Sequence, residues 1–142
     1  MAGLAAIRLA RPDDFADLQR LNAELFKYEN DLDRRTRNLN WPSTDFAVDY
    51  FHKAAEGRDG FQGFVAEAGG RVIGYLIADC FPKLYMAEPY RVVAELENMF
   101  VEANYRRSGV GSQLVEAYKT WAVERGAPYS RPKTKRVPSP CS

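Results

Sequence analysis

The sequence predicts a mixed α/β (α+β) domain with elements in the order β-α-α-β-β-β-α, built on a mostly antiparallel central sheet flanked by helices. Three observations carry that prediction. Apolar residues recur at helical spacing up to residue 56, at extended spacing from residue 61, and at helical spacing again after residue 109. Two turns, Asp59-Gly60 and Gly69-Gly70, bracket a segment of strand length. Apolar residues make up 46% and charged residues 27% of the chain, with eight Phe, eight Tyr and two Trp, the balance of a soluble globular domain with bulk for a core.

Ile7 to Leu9 is a short strand stopped by Arg11-Pro12-Asp13-Asp14, where an Asp ahead of an apolar-periodic segment signals a helix N-cap. The helix that follows places Phe15, Leu18, Leu21, Leu25 and Tyr28 on one stripe. From Glu29 to Thr44 the pattern breaks into a polar, Asn- and Arg-rich loop ending at Trp41-Pro42. Asp45 to Glu56 reads as a second helix, with Phe46, Tyr50, Phe51 and Ala54 on its inner face and Gly57 at its end. Phe61 to Ala66 and Val72 to Phe81 read as a hairpin. Its second strand is almost wholly apolar, hence covered on both faces. After a loop around Pro82 to Pro89 comes a strand from Val92 to Val101. A last long helix carries Val110, Leu114, Tyr118, Trp121 and Ala122 on one face and ends at Gly126.

At 142 residues the chain makes one domain of ordinary size. No apolar run approaches the roughly 18 residues that span a bilayer. The stretch from Met1 to Leu9 is too short for a secretory signal and lacks a basic segment before it. Two cysteines, Cys80 and Cys141, make no disulfide framework, which fits a reducing cytoplasm. A net charge of +1 argues against a general nucleic-acid or membrane-surface binder. The charge is uneven. Residues 128–142 hold Arg131, Lys133, Lys135 and Arg136, no acid, and four of the eight prolines. The chain therefore divides into a body, 1–127, and a basic, proline-rich tail, 128–142, expected to be disordered.

The segment with chemical potential is strand, short turn, Arg106-x-x-Gly109-x-Gly111, helix. Glycines let backbone approach a ligand, free N–H groups at a helix N-terminus bind phosphate, and Arg106 and Arg107 attract the same anion. A Gly-x-Gly before a helix also serves plain strand–helix packing. No Gly-Lys-Ser/Thr follows, which excludes a Walker loop, and Leu114 stands where a dinucleotide fingerprint needs its third glycine.

Glu95-Leu-Glu-Asn-Met-Phe-Val101 followed by Arg106-x-x-Gly109-x-Gly111 resembles the acetyl-CoA-binding motif of the GNAT family of N-acetyltransferases. "IRLARPDD" is similar to that family's first strand and helix start, and "FVAEAGGRVIGYLIA" to its second and third strands; the likeness covers about residues 5 to 127. The resemblance implies a GNAT-like fold and acetyl transfer from acetyl-CoA to a primary amine: a small amine, amino acid, polyamine or protein amine. No metal is implied. Carried over residue by residue, the pyrophosphate meets Arg106, Arg107, Ser108, Gly109, Val110, Gly111 and Ser112, and the pantetheine arm lies along Met99, Phe100 and Val101.

Because an alkylamine has a pKa of about 10.4, it arrives protonated and some group must accept its proton. The resemblance implies Glu95 as that base. Glu97, two residues on and on the same strand face by alternation, is the second candidate, with a water relay as another route. The alternative is a structural carboxylate pair held by Arg91. His52, the only histidine, sits on a helix of core aromatics, and Cys80 reads as a small hydrophobe. Tyr28, Glu29, Asp31 and Asp33 border a loop in which Arg34, Arg35 and Arg37 follow at once, a solvated mixed-charge segment.

The sequence departs from the family pattern after residue 127. The fifth strand, the further helix with its general-acid Tyr and the closing strands find no counterpart in Pro128-Tyr-Ser-Arg-Pro and beyond, which reads as a truncated or frameshifted end. On that reading the fourth strand is an exposed edge, and a homodimer becomes one way to complete the sheet. A CoA-binding remnant without activity, or an interaction protein lending an edge strand, are the alternatives to an enzyme.

Overall fold

The structure, a computed structural model, describes residues 4–32, 37–88, 91–127 and 130–132. Its elements are β1 (Ala6–Leu9), α1 (Phe15–Leu32), α2 (Asp45–Glu56), β2 (Phe61–Ala68), β3 (Arg71–Pro82), β4 (Val92–Val101), α3 (Val110–Glu124) and β5 (Ser130–Pro132). One sheet holds the strands in the order β1-β2-β3-β4-β5. The first four pair antiparallel, as adjacent strands joined by short turns must; β5 returns after α3 and pairs parallel to β4.

Each face of the sheet carries its own core. Phe64, Ile73, Leu76, Ala78 and Ala94 pack with Val110, Leu114, Tyr118 and Trp121 of α3. Val65, Val72, Tyr75 and Ile77 pack with Leu18 and Leu21 of α1 and Ala47, Phe51, Ala54 and Ala55 of α2. Residues 72–79 of β3 are accordingly all buried, as its unbroken apolar run predicts.

Three expectations are corrected. Phe46 is 78% exposed, because the inner stripe of α2 runs through Ala47, Phe51 and Ala54, a quarter-turn away. Helix α1 continues to Leu32, past the expected break at Glu29, since Asn30 buries on its inner face and accepts the Arg37 N–H. The sheet does not stop at β4. Ser130–Pro132 pairs with Ala94–Leu96, so β4 is not an open edge over those residues and the sheet runs beyond residue 127. Proline density argued against a strand there, but Pro132 closes an edge strand, where a missing N–H costs no ladder bond. Residues 133–142 of the tail, with Cys141, and the loop residues Asp33, Arg34 and Arg35 lie outside the described residues.

Asp14 caps the helix start as expected, as the third residue of a capping box whose N-cap is Arg11, and it does more. Its carboxylate takes two bonds from Arg8 (2.8 and 3.1 Å) and one from the Arg11 amide (2.7 Å), tying the start of α1 back to β1.

Candidate active site

Strand β4 carries a bulge. Ala78 pairs with Leu96 and Ile77 with Asn98, which leaves Glu97 as an extra residue with no ladder partner on β3. The extra residue resets the alternation of side chains. Ala94, Leu96, Met99 and Val101 belong to the α3 face, while Phe100 packs with α1 and α2 and Asn98 bonds residues of both helices. Simple alternation would have put Glu95 and Glu97 on one face with Met99 and Val101. The bulge puts them instead with Asn98 and Phe100.

On that face carboxylates gather. Asp79 of β3 pairs directly opposite Glu95, and carboxylate oxygens of Asp79, Glu95 and Glu97 all lie within 4.8 Å of one another. Each of the three takes part in a further interaction within the protein. Asp79 is 7% exposed, the polar break in an otherwise apolar strand. Such an anionic patch is suited to a cation, a protonated amine included. Next to it runs a chain of hydrogen bonds. Asn22 Nδ2 donates to the Tyr75 hydroxyl (3.0 Å), Tyr75 donates to Asn98 Oδ1 (2.5 Å), and Asn98 Nδ2 donates to the Tyr50 hydroxyl (3.0 Å). Burial, and then the charge of Glu97, push the Tyr50 phenol well above its ordinary value of 10.0, so it keeps its proton. An aromatic wall continues outward through Trp41, Tyr50, Phe61 and Phe81.

The other half of the site is the β4–α3 turn. Residues 106–109 form a tight turn in which Arg107 (φ 67°) and Gly109 (φ 86°) are left-handed. A tight turn with successive backbone N–H groups just ahead of a helix is a place where an anion can be bound. The first N–H groups of α3, at Val110, Gly111 and Ser112, have no acceptor within the helix, and the helix dipole favours an anion before them. Gly109 is required by its φ. Gly111 is not: a Cβ there meets only Met99 Cε at 3.6 Å, so packing within the chain leaves it room. Arg106 behaves differently from the expectation that it faces the anion. Its Nε donates to the Val101 carbonyl (2.7 Å), its amide donates to Ala103, and its guanidinium lies 4.9 Å over Phe100 and 5.1 Å over Tyr28. Arg107 remains exposed.

Between the two halves, β4 offers an edge. The Glu102 amide donates to Ile73 of β3, so by alternation the backbone groups of Met99 and Val101 point away from β3. The pairing with β5 ends at Leu96, and among the described residues no strand lies along Met99 to Val101. The Val101 carbonyl is taken by Arg106. Among the described residues, the Met99 N–H and C=O and the Val101 N–H have room for an extended partner.

The sequence model of the Acetyltransferase (GNAT) family matches residues 22–131, more than half of the chain. The chain belongs to the GNAT acetyltransferase family. An uncharacterized N-acetyltransferase of Methanocaldococcus jannaschii is 34% identical over 68 residues, 48% of this chain but only 28% of that protein's length. Among solved structures, the aminoglycoside N-acetyltransferase AAC(6')-Iy in complex with CoA superposes with a TM-score of 0.70 at 21% identity, covering 96% of this chain and 80% of that one. An aminoglycoside acetyltransferase from an uncultured soil metagenomic sample, in complex with sisomicin, gives 0.65 at 18% identity over 94% and 80%. At these identities the likeness establishes the fold.

The GNAT motif thus falls where β4 ends and α3 begins, and the structure brings Glu95 and Glu97 to the same face at its other end. Sequence reasoning missed Asp79, Tyr50, Tyr75 and Asn98. Asp79 carried a signal, a lone acid in an apolar strand; the others became visible only through the register of β3 and β4. His52 stacks on Phe15 at 4.0 Å and lies 3.9 Å from Glu56, one turn along α2.

Proposed function

We propose that this GNAT protein is an N-acetyltransferase that moves the acetyl group of acetyl-CoA onto the primary amine of a small molecule. One observation carries the reading. An anion-binding turn, an unpaired strand edge and a cluster of carboxylates follow one another along β4 in the order that a long phosphate-headed thioester and a cationic amine require.

The chain fits the co-substrate. The amides of Arg107 to Ser112 would hold the pyrophosphate, with the exposed Arg107 adding charge, and the free groups of Met99 and Val101 would pair with the pantetheine amides. Acetyl-CoA supplies an activated acyl group whose thiolate leaves readily. The protein's task is to bring the amine in and remove its proton. The patch formed by Asp79, Glu95 and Glu97 attracts the ammonium, and Glu95 or Glu97 takes its proton, directly or through water. The relatives' names support a small amine as acceptor: one neighbour was solved with CoA and another with sisomicin, both being aminoglycoside acetyltransferases.

The test is calorimetric titration of the full chain with acetyl-CoA, followed by thiol release with a panel of amines. Micromolar binding by the parent and its loss in Gly111→Trp are expected, because bulk at that position enters the ligand's space without strain in the chain. Binding that survives Gly111→Trp, in a variant of unchanged melting temperature, would remove the turn from the cofactor site.

A further inference from the structure

We propose that Asn98 is a positioning residue for acetyl transfer: its side chain, tied to α1, α2 and β3 at once, pins the β4 bulge and so fixes where the carboxylates face the end of the cofactor edge. This rests on the acetyltransferase reading above.

A bulge is a point of weakness in register. Without the extra residue at Glu97, β4 beyond it would slip by one and carry Asn98 and Phe100 to the α3 face. Packing of Leu96 and Met99 against α3 opposes that slip on one side. On the other side the Asn98 amide is a polar anchor that reaches three elements. Its Oδ1 accepts from the Tyr75 hydroxyl at 2.5 Å and from Asn22 Nδ2 at 3.4 Å, and its Nδ2 donates to the Tyr50 hydroxyl at 3.0 Å. Asn22 and Tyr75 are buried, at 1% and 0% exposure, and Asn98 is half-buried, so the Asn22 and Tyr75 ends of these bonds cannot be exchanged for water without cost.

The choice of residue is informative. A leucine at position 98 would bring no polar group of its own but would take from the Tyr75 and Tyr50 hydroxyls the partner that Asn98 gives them. The asparagine carries its own desolvation cost, in a region where, among the described residues, Asn22 Oδ1 is already buried without a partner. What it adds is direction. The flanking hydroxyls could each donate or accept, but Asn22 Nδ2, a donor only, lies 3.4 Å from Oδ1 and selects the orientation in which Oδ1 faces Tyr75 and Nδ2 faces Tyr50. A network so fixed specifies geometry more sharply than apolar contact does. The geometry so specified lies where the site changes character: the free edge of Met99 and Val101 begins one residue after Asn98, and Glu97 stands one residue before it. An arm laid along that edge from the turn at Arg107 ends at the bulge. A shift of about 1 Å in such a place costs roughly 10²-fold in rate while leaving the distant phosphate contacts intact.

Two variants test this, each followed by acetyl-CoA titration, steady-state kinetics and amide hydrogen exchange. Asn98→Ala is expected to accelerate exchange at Glu97 to Met99 and to lower kcat by roughly 10²-fold, with the acetyl-CoA Kd unchanged. Asn98→Asp keeps the pin, because both phenols can donate to a carboxylate, and adds a charge. Tyr50 from α2 and Tyr75 from β3 bond position 98 directly; the charges of Glu97 on β4 and Asp79 on β3 reach Tyr50, that of Glu29 on α1 reaches Tyr75, and Glu95 lies with Asp79 and Glu97. An added anion there holds a proton more tightly on a carboxylate base, so the acidic limb of the pH–rate profile should move to higher pH. Faster exchange with unchanged kcat in Asn98→Ala overturns the proposal, as does a loss of acetyl-CoA affinity that parallels the loss of kcat. A parent chain that binds acetyl-CoA but turns over no amine sinks the acetyltransferase reading instead.

Discussion

Glu95 and Glu97 lie two apart on β4 with Asp79 directly across the ladder, and three carboxylates within 4.8 Å of one another repel unless cations share the space. That repulsion makes the patch receptive to an ammonium and makes its members unequal. Glu95 pairs in the ladder with Asp79, whereas Glu97 sits on the bulge beside Tyr50, which feels its charge. Removing the base should therefore be separable from removing a neighbour. Glu95→Gln is expected to reduce turnover by roughly 10²-fold or more and to abolish the acidic limb of the pH–rate profile. Should Glu97→Gln do so instead, with Glu95→Gln nearly unaffected, the bulge residue is the base. Arg106 shows the same dependence on surroundings. Its position in the motif argued for the phosphate, and the structure spends its guanidinium on the Val101 carbonyl and two aromatic rings. The glycines beside it were legible, because φ and room are properties of the backbone; the aim of a long side chain is not.

Elements are held by devices that sequence shows only in part. Helix α2 begins at Thr44, whose Oγ1 accepts from the Ala47 amide at 3.2 Å and donates to the Trp41 carbonyl at 2.7 Å, and ends at the left-handed Gly57. One side chain thus fastens the helix to the turn before it, and through Trp41 to the aromatic wall. Thr44→Ala should cost about 1 kcal/mol, read as a lower urea midpoint with an unchanged slope. A smaller loss would mean that packing of Trp41 and Phe51, with rings 5.9 Å apart, sets the start of the helix. The bounds of α2 and of β4 follow from period and punctuation. Those of α1 and β5 do not, since Asn30 is buried by a contact with Arg37 and β5 exists only because β4 has an edge to offer.

At the scale of the molecule, two ion clusters tie distant segments together. Arg8 and the Arg11 amide hold Asp14, and Arg20 and Arg71 hold Glu102 at 2.6 to 2.9 Å. Burial opposes the charge on both carboxylates, but these partners outweigh it and lower each pKa from its ordinary value, 3.8 for Asp14 and 4.5 for Glu102. A depressed folded pKa contributes stability that is complete above the unfolded value and is lost as pH falls through the folded one. Melting temperature should therefore stay level above about pH 5 and fall steeply below about pH 4. The Asp14→Asn, Glu102→Gln double variant should start lower at neutral pH and lose much of that slope. A slope retained in full would assign acid lability to other carboxylates.

By itself the sequence determined the class of the fold, six of the eight elements among the described residues nearly to their ends, and the place of the glycine-bearing turn before α3. These rest on period, glycine and short-range order, which act between neighbours in the chain. The tertiary structure decided which face Glu95 and Glu97 share, that Asp79 joins them, that Arg106 lies over Phe100 and Tyr28 and that a fifth strand closes part of the edge of β4. Each depends on the register between β3 and β4, where a single extra residue reverses every side chain that follows. Alternation along one strand holds no record of what its neighbour does.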